Sequence, residues 1–163
     1  MSTRQTQIQE SSLAMTHHVR DTCLCLHVQR AARALARRFD EVLRPLDLTH
    51  GQFSLLTSLN RPEPPPMAAV ASLLAMDRTT LTAALKPLER RGLVTVAADA
   101  GDRRSRLMAL TPKGITLLAR AVPIWERTHQ EIEGLLPDGD PNRLRSNLRA
   151  LSVAGENPSS VSE

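Results

Sequence analysis

Residues 67–114 of this 163-residue chain gather eight basic side chains: Arg78, Lys86, Arg90, Arg91, Arg103, Arg104, Arg106 and Lys113. Four acidic ones oppose them, Asp77, Glu89, Asp99 and Asp102, leaving an excess of +4 that equals the formal charge of the whole chain. Guanidinium and ammonium groups concentrated in one window suit a polyanion, and duplex DNA has grooves that admit a helix and a hairpin. The two cysteines, Cys23 and Cys25, offer a different chemistry, thiol oxidation or soft-metal ligation, with His17, His18, His27, His50 and His129 as nitrogen donors.

The elements that must position the basic residues read as helix, turn, helix, strand, charged loop, strand and the start of another helix. Asp77 is a good N-cap for the second helix, because its carboxylate accepts orphan N–H groups of the first turn. Leu81, Ala84, Leu85 and Leu88 recur at helical spacing and form a stripe to be buried. Arg78, Thr79, Thr82 and Lys86 lie largely off it, where donors and hydroxyls suit base edges and phosphates. A solvated helix face is the competing reading. Val94 and Val96 then suggest one strand and residues 107–110 another, with Gly101 permitting a turn near Asp102 and Arg103. An arginine at such a tip can enter a narrow minor groove; otherwise its charge merely keeps the hairpin soluble. Thr111 caps the next helix, Pro112 takes its first position, and Leu110 with Ile115 has hydrophobic-staple spacing.

The ordered run DRTTLTAALKPLERRGLV and DRRSRLMALTPKG resembles the MarR family of winged helix-turn-helix regulators, from about residue 17 to 151. The wing pattern D-x-R followed by L-T-x-x-G is carried by Asp102, Arg104, Leu110, Thr111 and Gly114. The resemblance implies that Arg78, Thr79, Thr80, Thr82 and Lys86 face the major groove. It implies Arg103 and Arg104 at the wing, Arg104 in the minor groove, and Asp102 holding the wing by pairing with an arginine. It also implies a homodimer reading a pseudo-palindromic operator, and often a small apolar or phenolic effector. Pro87 departs from a straight recognition helix, since a mid-helix proline costs about 3 kcal/mol and kinks the axis.

The expected fold is mainly α with a small β-hairpin: a winged helix-turn-helix at residues 48–111, and a helical dimerisation region from 16–47 and 112–153. Residues 1–15 and 154–163 read as a disordered arm and tail. A long helix is expected over residues 17–43, with Leu24, Val28, Ala31, Ala32, Leu35, Phe39, Val42 and Leu43 on one face. Cys23 and Leu26 lie nearly opposite, so its first half is apolar on two sides and calls for a second packing partner. Thr49 and Gln52 form a capping box for the next helix, stapled by Leu48 and Phe53. Four prolines, Pro62, Pro64, Pro65 and Pro66, argue against a strand in the following loop. A long helix from Pro112 to about Leu136 should bend at Pro123, and a last helix after Asp140 carries Leu144, Leu148 and Leu151 on one face.

Composition narrows the function. Aromatics at 2% leave too few faces to stack single-stranded nucleic acid. No apolar run approaches the roughly 20 residues of a membrane span, and the first residues lack a signal-peptide core, so a cytoplasmic protein is expected. No Gly-rich phosphate loop, HExxH or G-x-S-x-G appears, so no catalytic residues, metal or cofactor are expected and the protein is read as a non-enzyme. The function expected is a DNA-binding transcriptional repressor relieved by an effector. The alternative is redox sensing through Cys23 or Cys25, one thiol acting alone or across chains, because residues i and i+2 diverge by about 200° on an intact helix. The bland alternative is that both thiols are structural.

Overall fold

The computed structural model describes residues 3–102, 105–137 and 139–156. Helices α1 (Thr3–Thr22) and α2 (Leu24–Leu43) lead through a 3-10 turn, Arg44–Leu46, into α3 (His50–Leu59). Then come α4 (Met67–Leu73), α5 (Arg78–Arg90), strands β1 (Val94–Ala98) and β2 (Arg106–Leu110), α6 (Pro112–Glu133) and α7 (Pro141–Glu156). The strands form one antiparallel pair, in register from Val94 opposite Leu110 to Ala98 opposite Arg106. This is the mainly helical, winged architecture that the patterning predicts.

The core sits in the lobe made by α3, α4, α5 and the hairpin, closed by the ends of α2 and α6. Leu43, Leu55, Leu56, Val70, Leu81, Leu85, Leu88, Leu93 and Met108 are its fully enclosed side chains. The capping box forms in both directions: Gln52 N–H donates to Thr49 Oγ1 at 3.2 Å, and Thr49 N–H to Gln52 Oε1 at 3.1 Å. Leu48 and Phe53, the expected staple, are both buried. The proline-rich loop meets the sheet at β2. Met108 N–H donates to the Pro65 carbonyl at 3.1 Å, beside a single bridge from Pro66 to Leu107. A proline can accept from β2 but cannot donate back, which stops a third strand from growing.

Several sequence expectations change. The first long helix is two. Cys23 leaves the helical region (φ −69°, ψ 105°), and its Sγ accepts the Leu26 N–H at 3.5 Å as the N-cap of α2. The break is stitched locally, with His27 Nε2 3.2 Å from the Asp21 carbonyl oxygen that the break frees. The segment expected as a disordered arm is helical from Thr3, as part of α1. Of the expected tail, residues 154–156 belong to α7, and 157–163 lie outside the described residues. The prolines expected to bend their helices, Pro87 and Pro123, both lie inside continuous helical spans, α5 and α6. Ile115, expected to staple to Leu110, stays 52% exposed, while Gly114, Leu118 and Ala121 carry the inward face of α6.

Candidate nucleic-acid interface

The turn between α4 and α5 is short and tightly bonded. Leu74 N–H donates to the Val70 carbonyl, Met76 N–H donates to the Ala71 carbonyl at 2.9 Å, and Ala75 between them is left-handed at φ 50°. A non-glycine residue there costs roughly 1–2 kcal/mol, so the surrounding contacts must over-determine it. Asp77 then starts α5 as expected. Its Oδ1 accepts the Thr80 N–H at 2.7 Å, and its Oδ2 accepts the Thr80 hydroxyl at 2.6 Å. The Thr80 hydroxyl, then the Thr80 N–H, hold the Asp77 carboxyl below the usual carboxylate range.

These bonds sort the expected contact residues. Arg78, Thr79, Thr80, Thr82 and Lys86 are all exposed on α5. Two of the three hydroxyls have partners inside the protein: that of Thr80 in the cap, and that of Thr82, which donates to the Arg78 carbonyl at 2.7 Å. Arg90, in the last turn, and Ala83 are exposed as well, and reading the sequence for hydrogen-bond donors near the N-terminus passes over both. Helical phase alone identifies them, since Ala83 is four and Arg90 eleven residues beyond Thr79.

The wing turns on a side chain. Asp99 Oδ1 accepts the Gly101 N–H at 2.8 Å, and Gly101 is not left-handed. The turn expected from glycine freedom is therefore an Asp turn. Ser105 N–H closes the tip by donating to the Asp102 carbonyl at 2.8 Å. Arg103 and Arg104 lie outside the described residues. Behind the wing, Thr111 joins three elements. Its Oγ1 donates to the Gly92 carbonyl at 2.7 Å and accepts the Gly114 N–H at 3.1 Å, while its own N–H donates to the Leu93 carbonyl at 3.0 Å. The spacing of Thr111 and Gly114 has a steric cause: a Cβ on Gly114 would meet the Leu93 carbonyl oxygen at 2.1 Å. Lys113 Nζ caps the same junction by donating to the Arg91 carbonyl at 2.8 Å.

Two further features lie away from this surface. A cleft of about 470 Å³ opens between α3, the end of α4 and α6, lined by Phe53, Ser54, Thr57, Arg61, Leu74 and Trp125 among others. Trp125 stacks between Phe53 (6.2 Å) and His129 (4.5 Å). His129 Nε2 lies 3.0 Å from Glu133 Oε1, which also accepts from Arg145 of α7. Arg145 first, with His129 helping, holds the Glu133 carboxyl below its usual range. The cysteines are both free thiols, Cys23 half-buried and Cys25 exposed, with the Cys25 Sγ accepting from Gln29 Nε2 at 3.1 Å. Among the described residues no cluster of three or more His, Cys, Asp or Glu side chains could hold a metal, and no helix is long and apolar enough to cross a membrane.

Known transcriptional regulators share this fold. The model of the MarR family matches residues 48–105. The organic hydroperoxide resistance transcriptional regulator of Bacillus subtilis (strain 168) is 32% identical over 101 residues, 62% of this chain and 69% of that protein. The DNA complex of the M. tuberculosis transcriptional regulator MosR superposes with a TM-score of 0.76 at 36% identity, covering 84% of this chain and 98% of that one. Bordetella bronchiseptica BpsR, whose DNA binding is regulated by 6-hydroxynicotinic acid, gives a TM-score of 0.71 at 28% identity over 80% and 94% of the two chains.

Proposed function

This chain belongs to the MarR family of DNA-binding transcriptional regulators, and from that premise we propose that it is a homodimeric repressor, not an enzyme, that leaves a pseudo-palindromic operator when a small apolar or phenolic effector binds. The observation that carries the reading is the exposed basic face of α5 beside a charged hairpin, mounted on a closed core. Arg78, Thr79 and Lys86 contact the major groove. Arg104 enters the minor groove beside Arg103, and Asp102 holds the wing that presents them. Thr80 and Thr82 contribute less than their exposure suggests, since their hydroxyl protons are already donated within α5 and its cap.

The dimer reading is supported by apolar side chains that their own chain leaves uncovered. Leu24 is 65% exposed, Leu148 39% and Leu151 50%. Helices of this kind from two chains cover each other, and the twofold axis then sets two α5 helices about 34 Å apart, one turn of DNA. The effector reading is supported by the cleft at Trp125, whose lining combines aromatic side chains, hydroxyls and the Arg61 guanidinium, a mix that suits a small aromatic molecule. BpsR provides a precedent for control by such a molecule.

Anisotropy titration of the full chain on labelled duplex from upstream of its own gene tests this at several salt concentrations. The logarithm of the specific affinity should fall steeply and linearly with log salt. Affinity no better than for scrambled duplex would remove own-promoter control, and a genome-wide binding search giving no enriched site would remove the reading.

A second reading, thiol sensing, is favoured by the break at Cys23. The angular objection to a Cys23–Cys25 bond holds on an intact helix, and Cys23 is not helical. Oxidation of Cys23 would also withdraw the N-cap of α2. The same titration after mild peroxide separates the readings: release that Cys23→Ser or Cys25→Ser abolishes supports the thiol, and no release leaves the effector.

A further inference from the structure

The outward side of α5 is poorer in donors than its composition suggests. With Leu85 at zero and about 100° per residue, the buried Leu81, Leu85 and Leu88 lie within about 60° of one another. Lys86, Thr79, Arg90 and Ala83 fall on the far side, between about 100° and 160°; all four are exposed. One edge of this strip is bounded by α4, with Met67 Sδ 3.8 Å from Thr82 Oγ1. The other is bounded by a crevice lined by Thr49, Gln52, Pro87 and Arg91. The strip between those edges is what a groove meets. Its N-terminal half is Thr79 and Ala83, one turn apart, and its C-terminal half is Lys86 and Arg90.

The first half therefore presents the hydroxyl and γ-methyl of Thr79 and the β-methyl of Ala83, on side chains short enough to let the backbone come close to the base edges. Neither neighbouring threonine adds a free donor there, because the Thr80 and Thr82 hydroxyls bond to Asp77 and to the Arg78 carbonyl. Among the groups that base pairs display in the major groove, the one complementary to a small apolar side chain is the 5-methyl of thymine. We propose that Thr79 and Ala83 make this protein a thymine reader, selecting operator positions by the 5-methyl group, while Lys86 and Arg90 grip the flanking phosphates. This rests on the DNA-binding role assigned to α5 above.

Deoxyuridine tests it, since replacing dT by dU deletes the methyl and keeps every hydrogen-bonding group. The full-length protein is first used to select a tight duplex from a random pool. Each dT in that duplex is then replaced by dU and titrated by anisotropy. One or two positions per half-site should weaken binding by about fourfold each, the equivalent of one buried methyl. Thr79→Ser keeps the hydroxyl and removes the methyl, and should bind the dT and dU duplexes alike at its position. Ala83→Gly should do the same at the neighbouring one. If no dU position matters in a tightly bound duplex, the inference is wrong and the DNA-binding role stands. Selection that yields no preferred duplex overturns both. If dU weakens binding but both variants keep the full discrimination, the methyls are read by other residues and the assignment fails.

Discussion

The lobe from α3 to β2 and the helical ends of the chain are built from similar residues and end in opposite states. In the lobe, leucines at helical spacing are enclosed by their own chain: Leu55, Leu56, Leu81 and Leu88 expose none of their surface. In α7, leucines at helical spacing stay open, Leu144, Leu148 and Leu151, and so do Leu13 of α1 and Leu24 of α2. Amphipathic pattern alone thus does not decide whether a face is covered by its own chain. The lobe's stability should be intrinsic, and that of the ends should depend on a second copy.

The contrast can be broken hardest at the lobe's tightest point. Gly114→Ala places a methyl against the Leu93 carbonyl, and is expected to cost about 3 kcal/mol, the upper end of overpacking, in urea unfolding. A loss below about 0.5 kcal/mol would mean the junction yields easily. At the open ends, Leu148→Glu should weaken the dimer at least about tenfold in sedimentation equilibrium, as charge on an interface anchor does, while the lobe's secondary structure stays intact. A dimer of unchanged affinity would exclude that face of α7 from the interface. Arg104→Ala should reduce operator affinity by about tenfold and lower the salt slope by about one; affinity like that of the wild type would refute the minor-groove assignment.

Two smaller changes sharpen the comparison inside the helix-turn-helix. Ala75→Gly relieves a left-handed backbone, and should raise stability by up to about 1 kcal/mol, seen as a higher Tm. Asp77 supplies the smallest effect and the clearest sign. Its carboxyl is held below the usual range by Thr80, so its contribution is present above the ordinary carboxylate range and is lost as pH falls through the lowered folded value. Asp77→Asn keeps a good cap at neutral pH, and should flatten the acid side of the Tm-against-pH curve. Parallel acid limbs in the two proteins would show that the cap carries no such linkage.

The lobe was the most legible part because its signals are local. Thr49 with Gln52, Asp77 ahead of Leu81, and Thr111 with Pro112 each announce a helix start within four residues, and all three caps form. Other features have no local signature. Cysteine is not a helix breaker, so the break at Cys23 could not be read from type. It is held by a sulfur cap and by His27 reaching back six residues. The helix from Thr3 lacks an apolar stripe in its first turns, and polar sequence there reads as unstructured. Ala83 escaped for another reason: a methyl announces no chemistry, and its place on the outward strip follows only from its phase relative to Leu81, Leu85 and Leu88.

The chain has a single tryptophan, and Trp125 stands at the wall of the cleft with the His129 ring 4.5 Å from its own. Indole emission responds to an imidazole in stacking contact and to the polarity around it. The protein therefore has a built-in optical reporter at the proposed effector cleft. A compound that enters the cleft should alter emission in an unlabelled sample, and one that releases DNA from elsewhere should leave it unchanged, so a cuvette can sort inducers by their point of action before any complex is crystallised.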